Sequence, residues 1–440
     1  MHIRLRRIYY STVIIIFLIF APVIILYSMG WRYDFAGRTV VHTGVVTVST
    51  QPERATVSID GAMAAGKTPT VIKNVLPGRH KIEIQRDNYF SWYKWLQVDA
   101  AFATLVNDVV LLRDDRQHDT LLAEPVAAVT WSYKQEILVY TLMSGEVFFA
   151  EKKDMIEGKS ASSLQLVAPG SAPRVVWSPD DRRALLLPPD GSTWLLDVDT
   201  VRLEEIEEMT IMEARWQNNH TFLYQDRDNF LSVYDTDQHL RQLVSSEPVI
   251  DFYPGEKSFF ALRPAAEGGP RLFQLISGTE KLINEFDSGG DYHFVGIFSE
   301  ILVVIDKGNA LYFLEPGSLS WILDEVRADA QDMVWLEKQG ELFFWNGFEL
   351  SFYNYHDQRS STLLRSGSEI HDVLWHPSGK MFFLAIDDRL EARELDERDR
   401  VNTFGLWDSR VTETMVDADG HYLYFIDEAD RQLKRLLISD

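Results

Sequence analysis

The chain begins with one long apolar run and then changes to short alternating segments for the rest of its length. Residues 8–29 are uncharged and almost wholly apolar over 22 positions, and about 20 such residues span the hydrocarbon core of a bilayer. From Gly44 onward, apolar and polar residues alternate in short runs bounded by glycine, proline and aspartate, which is typical of β-strands. The pattern predicts one membrane-spanning helix followed by a mainly β protein.

The residues that flank the apolar run predict its orientation. Three arginines lie within the first seven residues, and aromatic residues lie at both ends of the run. Because positive charge stays on the cytoplasmic side, we expect a single-pass plasma-membrane protein. Residues 1–7 would be its cytoplasmic tail, 8–29 its uncleaved signal-anchor helix, and all later residues would lie outside the cytoplasm. A cleaved signal peptide is the alternative, although its apolar core is normally about 7–15 residues long.

A small antiparallel β-sheet domain is predicted at residues 44–113, after a juxtamembrane linker at 30–43. Turn signals at Asp60-Gly61 and Pro77-Gly78 separate segments rich in β-branched and aromatic residues. The predicted strands are 45–50, 56–59, 80–84, 92–98 and 105–112.

This segment resembles the PEGA family in the order of its strands and turns, although Arg79 and His80 depart from the letters of the family name. The matching positions are 46–49, Pro52, 55–61, 66–69, 76–82 and Tyr89. The resemblance implies a small β-domain of prokaryotic surface and envelope proteins, with no agreed ligand and no catalytic residues.

One motif in this segment matches the phosphate-binding loop G-x-x-x-x-G-K-[ST], through Gly61, Gly66, Lys67 and Thr68. Such a loop needs a helix that opens at the lysine, because the helix N-terminus holds the phosphates. Here Pro69 and β-branched residues follow instead. We interpret the match as fortuitous and predict no nucleotide and no other cofactor.

A dense aromatic cluster follows, with Phe90, Trp92, Tyr93 and Trp95 as possible ligand-stacking residues. Alternation places Phe90 and Trp92 on one face of a strand and the other two on the opposite face. These rings could stack on a sugar or a partner. The interpretation we favour is that one face fills the domain core and the other packs on the neighbouring domain.

The long remainder, residues 118–440, repeats a unit of several short strands at spacings of 37 to 46 residues. A period near 40 with several strands per unit predicts a β-propeller, here of eight blades, or seven if one repeat is spurious. Residues 119–123 are predicted to pair with 433–438 and close the ring. The marker residues of the eight units are Trp131, Trp177, Trp216, Tyr253, Phe298, Trp335, Trp375 and Val416. The turns between the strands resemble those of WD-repeat-like propellers, including the periplasmic Tol-system propeller, which implies an interaction platform.

Charge and composition narrow the possible partners and reactions. Residues 114–440 carry 30 basic and 59 acidic residues, a net charge of −29, which disfavours nucleic acid. The chain has no cysteine, so disulfides, thiolate metal sites and cysteine nucleophiles are excluded. The motifs G-x-S-x-G and H-E-x-x-H are also absent.

Two weaker patterns suggest metal ions but do not carry a prediction. The histidines cluster loosely at His356, His371 and His376, and Asp417 with Asp419 resembles part of a calcium loop that lacks its downstream glutamate. We interpret these residues as turn and strand-end residues. We predict no metal site and no catalytic residue.

These observations favour a non-catalytic, membrane-anchored scaffold of a bacterial cell envelope that binds a protein or glycan partner. The alternative is a hydrolase or lyase that acts on envelope glycans or peptides. In that case carboxylates from different blades would meet in the propeller channel, and sequence spacing does not reveal such a site.

Overall fold

The computed structural model begins with one long helix, α1 (Ile3–Ser28), which contains Pro22. Among the described residues it is the one helix long and apolar enough to cross a membrane, over Tyr9–Ser28, and the rest of the chain buries none of this span. The helix is compatible with a membrane anchor or a signal sequence. The structure describes residues 3–35, 37–165, 172–207, 209–256, 258–276, 278–287, 291–298, 300–316, 321–327, 330, 332–336 and 341–440.

A short β-hairpin connects the helix to the rest of the protein. The segment expected to be a linker contains β1 (Trp31–Asp34) and β2 (Thr39–His42), which pair antiparallel. Gly30 has a φ of +90°, a conformation that glycine adopts at little cost. The chain can therefore turn from the last helical turn directly into β1.

Two sheets form the small domain at residues 44–113, and their facing sides make its core. The first sheet has the order β6-β3-β9 and the second β5-β4-β7-β8. Burial alternates along β3 and β8, as expected for strands with one face in a core. The strands are β3 (Gly44–Gln51), β4 (Thr56–Ile59), β5 (Ala62–Lys67), β6 (Thr70–Val75), β7 (Gly78–Gln85), β8 (Trp92–Val98) and β9 (Ala103–Val110).

One strand pair of the small domain departs from the predicted antiparallel arrangement. β9 runs parallel to β3, with Val46 opposite Thr104. The Val45 N–H donates to the Phe102 carbonyl at 3.0 Å, so the turn after β8 returns the chain beside the start of β3. β9 must then run in the same direction as β3.

Eight four-stranded antiparallel sheets follow as the blades of a propeller. The first strand of each blade is its inner strand, and the fourth is its outer strand. The short helix α2 (Lys152–Ile156) lies between the third and fourth strands of blade 1. Blades 1 to 4 consist of β11 (Val126–Trp131), β12 (Ile137–Leu142), β13 (Val147–Glu151), β14 (Ser162–Leu164); β15 (Arg174–Trp177), β16 (Arg183–Leu187), β17 (Trp194–Asp197), β18 (Arg202–Glu205); β19 (Glu213–Trp216), β20 (Thr221–Gln225), β21 (Leu231–Asp235), β22 (Leu240–Ser245); and β23 (Asp251–Pro254), β24 (Phe259–Arg263), β25 (Arg271–Ile276), β26 (Thr279–Glu285).

The second half of the propeller repeats this order. Blades 5 to 8 consist of β27 (His293–Phe298), β28 (Ile301–Ile305), β29 (Ala310–Pro316), β30 (Trp321–Arg327); β31 (Asp332–Leu336), β32 (Glu341–Trp345), β33 (Glu349–Asn354), β34 (Arg359–Arg365); β35 (Ile370–Trp375), β36 (Met381–Ile386), β37 (Arg389–Glu394), β38 (Thr403–Trp407); and β39 (Val411–Val416), β40 (Tyr422–Asp427), β41 (Gln432–Leu437), β10 (His118–Leu122). Every marker residue of the predicted repeat lies at or next to the end of an inner strand, so the repeat was identified correctly.

The ring is closed by strands from the two ends of the propeller sequence. β10 pairs antiparallel with β41, with His118 opposite Leu436 and Leu122 opposite Leu433. This pairing confirms the predicted closure and completes the eighth blade. The inner strands β11 and β39 are also in contact, so blades 8 and 1 are neighbours.

The propeller core lies between the blades rather than within them. Among the described residues, each pair of neighbouring blades shares one buried apolar cluster; between blades 8 and 1, for example, Val126 and Leu138 pack with Ile426 and Leu433. The cluster between blades 7 and 8 also takes in Val110 and Leu112 of the small domain. A blade alone cannot bury both of its faces, so ring closure and packing depend on each other.

Candidate functional site at the junction of the two β-domains

The residues that match the phosphate-binding loop lie on β5 and in the turns that flank it. Gly61 has a φ of +83° in the turn before β5, and Gly66 and Lys67 end that strand. The Thr68 hydroxyl accepts a hydrogen bond from the Ala55 N–H at 2.9 Å, so it serves the packing of the small domain. Strand β6 follows directly, and the described backbone offers no helix N-terminus at this place to hold a phosphate.

Phe90 and Trp92, two of the four proposed stacking residues, contact blade 7. The Phe90 ring lies with its centre 5.2 Å from that of Phe404 on β38. Trp92 is 2% exposed, and its indole N–H donates a hydrogen bond to Glu394 at 2.7 Å. The face expected to fill the small-domain core therefore also makes the contact with the neighbouring domain.

Tyr93 and Trp95 lie on the opposite face of β8, as the alternation predicts. The Arg400 guanidinium lies 4.2 Å from the centre of the Tyr93 ring, and Lys81 Nζ lies 4.7 Å from the same ring. Trp95 keeps 43% of its surface exposed. Three of the four rings are therefore engaged within the chain, and Trp95 has the most surface left for another molecule.

A buried ion pair that the sequence analysis missed lies at the centre of this junction. Lys94 lies on the inward face of β8 between Trp92 and Leu96, and its side chain is fully buried. Its ammonium lies 2.8 Å from Glu394 Oε1 and donates to the Arg400 carbonyl at 2.8 Å. A lysine at an inward position of an alternating strand is unusual unless it is paired, and this signal was present in the sequence.

Glu394 is fully provided with hydrogen-bond donors from both domains. Its Oε1 accepts hydrogen bonds from the backbone N–H and the side-chain amide of Asn402, both at 2.7 Å. Its Oε2 accepts the Trp92 N–H, and Lys94 supplies the opposite charge. A buried charge pair contributes to specificity when every member is satisfied, so this network defines how the two domains dock.

The loop between β37 and β38 extends this contact along the small domain. Arg398 donates to the Leu105 carbonyl at 2.7 Å, and Arg79 pairs with Asp399 at 2.7 Å. The Trp95 backbone N–H donates to the Asp399 carboxylate at 2.9 Å. This hydrogen bond and the Arg79 charge hold the pKa of Asp399 below its usual range. The small domain is thus fixed to blade 7 by several independent contacts.

A cleft of about 290 Å³ remains between the two domains at this junction. It is lined by charged residues of both signs and by the edges of buried aromatic rings. The lining side chains include Trp92, Asp108, Lys380, Asp396 and Arg398. The Arg398 guanidinium and the Asp396 carboxylate are already paired at 2.8 Å, so much of the polar lining is engaged within the protein.

The inner strands of the propeller form a second polar region, in which the charges of blades 2 to 4 are paired. Arg174 donates a hydrogen bond to the Glu213 carboxylate across blades 2 and 3. Arg215 lies 3.0 Å from Asp251 across blades 3 and 4. These ion pairs join neighbouring blades on this side of the ring.

On blades 7 and 8, two inner-strand carboxyls, Asp372 and Glu413, have raised pKa values. Asp372 is half-buried, and burial raises the pKa of its carboxyl, with a further contribution from the Asp332 charge. The Thr414 hydroxyl donates to Asp372 and partly opposes this rise. Glu413 keeps contact with solvent, yet partial burial and the Asp372 charge raise its pKa as well. Raised pKa values are a property of general acids.

Replacing Asp372 by asparagine should raise the melting temperature at pH 7. Because its pKa is raised, the Asp372 carboxyl is more easily kept protonated in the folded state than in the unfolded state. Ionisation of this carboxyl at neutral pH therefore lowers the stability of the folded state. This loss of stability disappears as the pH falls through the folded-state pKa. The stabilising effect of Asp372→Asn should therefore shrink as the pH is lowered toward 4, near the carboxyl pKa in unfolded chains. Thermal unfolding of the variant, the wild type and an Asp419→Asn control, at an exposed position, would measure this. An increase in melting temperature that is the same at every pH would contradict the prediction.

Two of the residues considered as metal ligands, His376 and Asp417, make turn and strand-end contacts. His376 accepts the Ser378 N–H at Nδ1 and donates to the Gly420 carbonyl at 3.2 Å, and burial lowers its pKa. Asp417 accepts the His421 N–H at 2.7 Å. Over the part of the chain that the structure describes, no group of three or more histidines and carboxylates is placed to hold a metal ion.

Comparisons with known proteins give similarities to solved structures and a family match for the small β-domain. The chain is similar in structure to the β-propeller domain of Myceliophteria thermophila Cps50 (Swd1), with 10% identity and a TM-score of 0.41 over 72% of this chain and 99% of that one. It is also similar to the C-terminal WD40 domain of Sif2, with 9% identity and a TM-score of 0.38 over 91% of this chain and 97% of that one. No curated protein sequence matches the chain. Residues 43–109 match the family model of the PEGA domain, so the small β-domain of this chain is a PEGA domain, as the sequence predicted.

Proposed function

We propose that this protein is a non-catalytic, membrane-anchored scaffold of a bacterial cell envelope. In this proposal residues 1–7 lie in the cytoplasm, residues 8–29 span the plasma membrane once, and the PEGA domain and the propeller at 118–440 lie outside the cytoplasm. The PEGA domain fixes the propeller relative to the membrane through the buried Lys94–Glu394 pair. The excess of acidic residues in the propeller disfavours nucleic acid as a partner.

Exposed apolar side chains on the outer strands of the propeller, and at the end of the adjacent strand β25, are the observation that carries this proposal. They lie on blades 3, 4 and 5, and in an eight-bladed ring blades 3 and 4 are diametrically opposite blades 7 and 8, where the PEGA domain docks. Exposed apolar residues grouped on one side of a soluble domain are typical of protein-binding surfaces. These residues, which we call the apolar rim, are Leu240, Leu243, Ile276, Leu282 and Leu323, each at least 42% exposed.

This arrangement favours a protein partner over a glycan partner. Leucine and isoleucine side chains suit the apolar centre of a protein interface, whereas stacking on sugars requires aromatic faces. Phe90 and Trp92 are engaged with blade 7, and Trp95 is the aromatic residue of that cluster that remains largely exposed.

Charged residues in the apolar rim should strongly weaken partner binding without unfolding the protein. We expect the double variant Leu240→Glu and Leu282→Glu to bind the partner at least about 30-fold more weakly, the effect of losing a central interface residue. Met143→Glu is the matched control, because Met143 is 61% exposed on blade 1. The partner would be captured by cross-linking in solubilised envelopes with the wild-type chain, purified, and titrated against all three proteins. Equal affinities would show that the apolar rim is not the binding surface.

The enzymatic alternative has one supporting observation, the raised pKa values of Asp372 and Glu413 on neighbouring blades. If the protein cleaves envelope glycans or peptides there, Asp372→Asn should abolish turnover of envelope polymers by the purified protein while it preserves the fold. Turnover that the wild-type protein shows and Asp372→Asn lacks would favour the enzyme over the scaffold.

A further inference from the structure

The hairpin of β1 and β2 has one aromatic face that the rest of the protein leaves exposed. Trp31, Tyr33 and Phe35 alternate along this segment and therefore share one side. The register places Val40 opposite Tyr33, so Val40 joins them on that side. Trp31 is half-buried and contacts His42, whereas Tyr33 is 51% exposed, Val40 57% and Phe35 85%.

The other face of the hairpin is more polar. Arg32, Asp34 and Thr39 belong to it, because Asp34 is opposite Thr39 and Arg32 is opposite Val41. Alternate residues of a strand project to opposite sides, so the hairpin is amphipathic although it is only four residues long on each strand.

Several contacts hold the hairpin at the end of the helix. The Arg32 guanidinium lies 3.5 Å from the centre of the Tyr27 ring and donates to the Tyr27 carbonyl at 2.6 Å. It also donates to the Asn74 side chain of β6 at 2.7 Å. Arg32 therefore connects the last turn of α1, the hairpin and the PEGA domain, and the aromatic face has a fixed position relative to all three.

The length of the helix places the hairpin at the depth of the lipid headgroups. The apolar span Tyr9–Ser28 has 20 residues, which at about 1.5 Å per residue matches a hydrocarbon core of about 30 Å. The hairpin begins three residues after Ser28, inside an interfacial layer roughly 5–8 Å thick. Tyrosine and tryptophan prefer this layer because their rings are apolar and their edges are polar.

We propose that the β1–β2 hairpin is a second membrane-binding element, whose aromatic face lies against the lipid surface beside the spanning helix. This inference rests on the membrane anchoring in the proposed function. It goes further by assigning a bilayer contact to residues outside the helix. Arg38 lies exposed in the turn between β1 and β2, and its charge suits anionic headgroups. The contact restricts the tilt of the PEGA domain, since Arg32 joins the hairpin to β6.

Paired single-cysteine labels can test this proposal, because the chain has no native cysteine. Val40→Cys and Thr39→Cys place a nitroxide on adjacent, exposed residues of opposite hairpin faces. The full-length variants would be reconstituted in vesicles of phosphatidylethanolamine and phosphatidylglycerol. We expect the label at Val40 to be severalfold less accessible to a water-soluble relaxing agent, and more accessible to oxygen, than the label at Thr39. Equal accessibility at the two positions would overturn the proposal.

A third label separates failure of the hairpin contact from failure of the anchor. Phe17 lies in the middle of the apolar span and is 67% exposed from the protein, so a label on Phe17→Cys should be reached by oxygen and not by the water-soluble agent. If Phe17 is in lipid while Val40 and Thr39 are both in water, the anchor holds and the hairpin proposal is wrong. If Phe17 is itself in water, both the anchor and the hairpin contact are refuted.

Discussion

The Lys94→Met substitution should lower the free energy of unfolding by about 3–5 kcal/mol at neutral pH, because it leaves a buried carboxylate without its counter-charge. Lys94 is fully buried, and the Glu394 side chain is 9% exposed. The polar groups that Lys94 contacts on blade 7 belong to Glu394, to the Asp396 carboxylate at 3.9 Å, and to the backbone of the loop after β37. The loss of stability should therefore appear first as separation of the PEGA domain from the propeller. Urea unfolding followed by tryptophan fluorescence would measure it, because Trp92 lies at this contact.

Two further variants show whether the effect comes from the unpaired charge. Lys94→Met combined with Glu394→Gln removes both charges and keeps the side-chain oxygen that can accept the Asn402 donors, so it should recover much of the lost stability. Lys81→Met removes a lysine of the neighbouring strand whose side chain is 34% exposed and pairs with Glu83 at 3.0 Å, and it should cost about 0–1 kcal/mol. If Lys94→Met costs no more than Lys81→Met, the described burial of the pair is wrong.

A disulfide across the ring closure should stabilise the propeller by up to about 5 kcal/mol, because it closes a very long loop of the unfolded chain. Asp119 and Arg435 are directly opposite on β10 and β41 and are 316 positions apart in sequence. Facing residues of antiparallel strands have Cα atoms about 4.5–5.5 Å apart, which is within the range that a disulfide bridges. We therefore expect Asp119→Cys with Arg435→Cys to form a cross-link on oxidation.

The reduced form of the same double variant is the control for this experiment. It carries both substitutions, including the loss of the Asp119–Arg435 ion pair, and differs from the oxidised form only in the cross-link. With no native cysteine in the chain, no other disulfide can form within it. The difference in urea midpoint between the two forms gives the stabilisation. A failure to oxidise, or identical midpoints, would show that β10 and β41 do not close the ring.

The sequence was sufficient for the propeller because each blade repeats the same local pattern. Trp177, Trp216 and Trp375 end inner strands. Because this spacing recurs in every repeat, an error in the predicted bounds of one strand does not change the predicted fold. The ring closure by β10 was also predictable, because the last repeat in the sequence has three strands and needs a fourth from elsewhere. Residues 43–109 were recognisable for a similar reason, since their turns occur in a fixed order.

The contacts between domains were not predictable from local pattern. Trp92 and Glu394 are 302 positions apart, and periodicity does not indicate which blade faces β8. Lys94 was overlooked because an aromatic cluster surrounds it, although its inward position in the alternation required a partner. The parallel pairing of β9 with β3 also depends on where the chain returns after β8, which is a tertiary property.

The closure strand has a consequence for how the protein is made. β10 is synthesised before all the other strands of the propeller, whereas its partner β41 is synthesised after them. At roughly 5–20 residues per second, the 316 positions between Asp119 and Arg435 take about 15–60 s to translate. Throughout this time β10 lacks its partner strand, and an unpaired strand can join another chain. Nascent molecules that are tethered close together are therefore exposed to exchange of this strand until β41 has been translated.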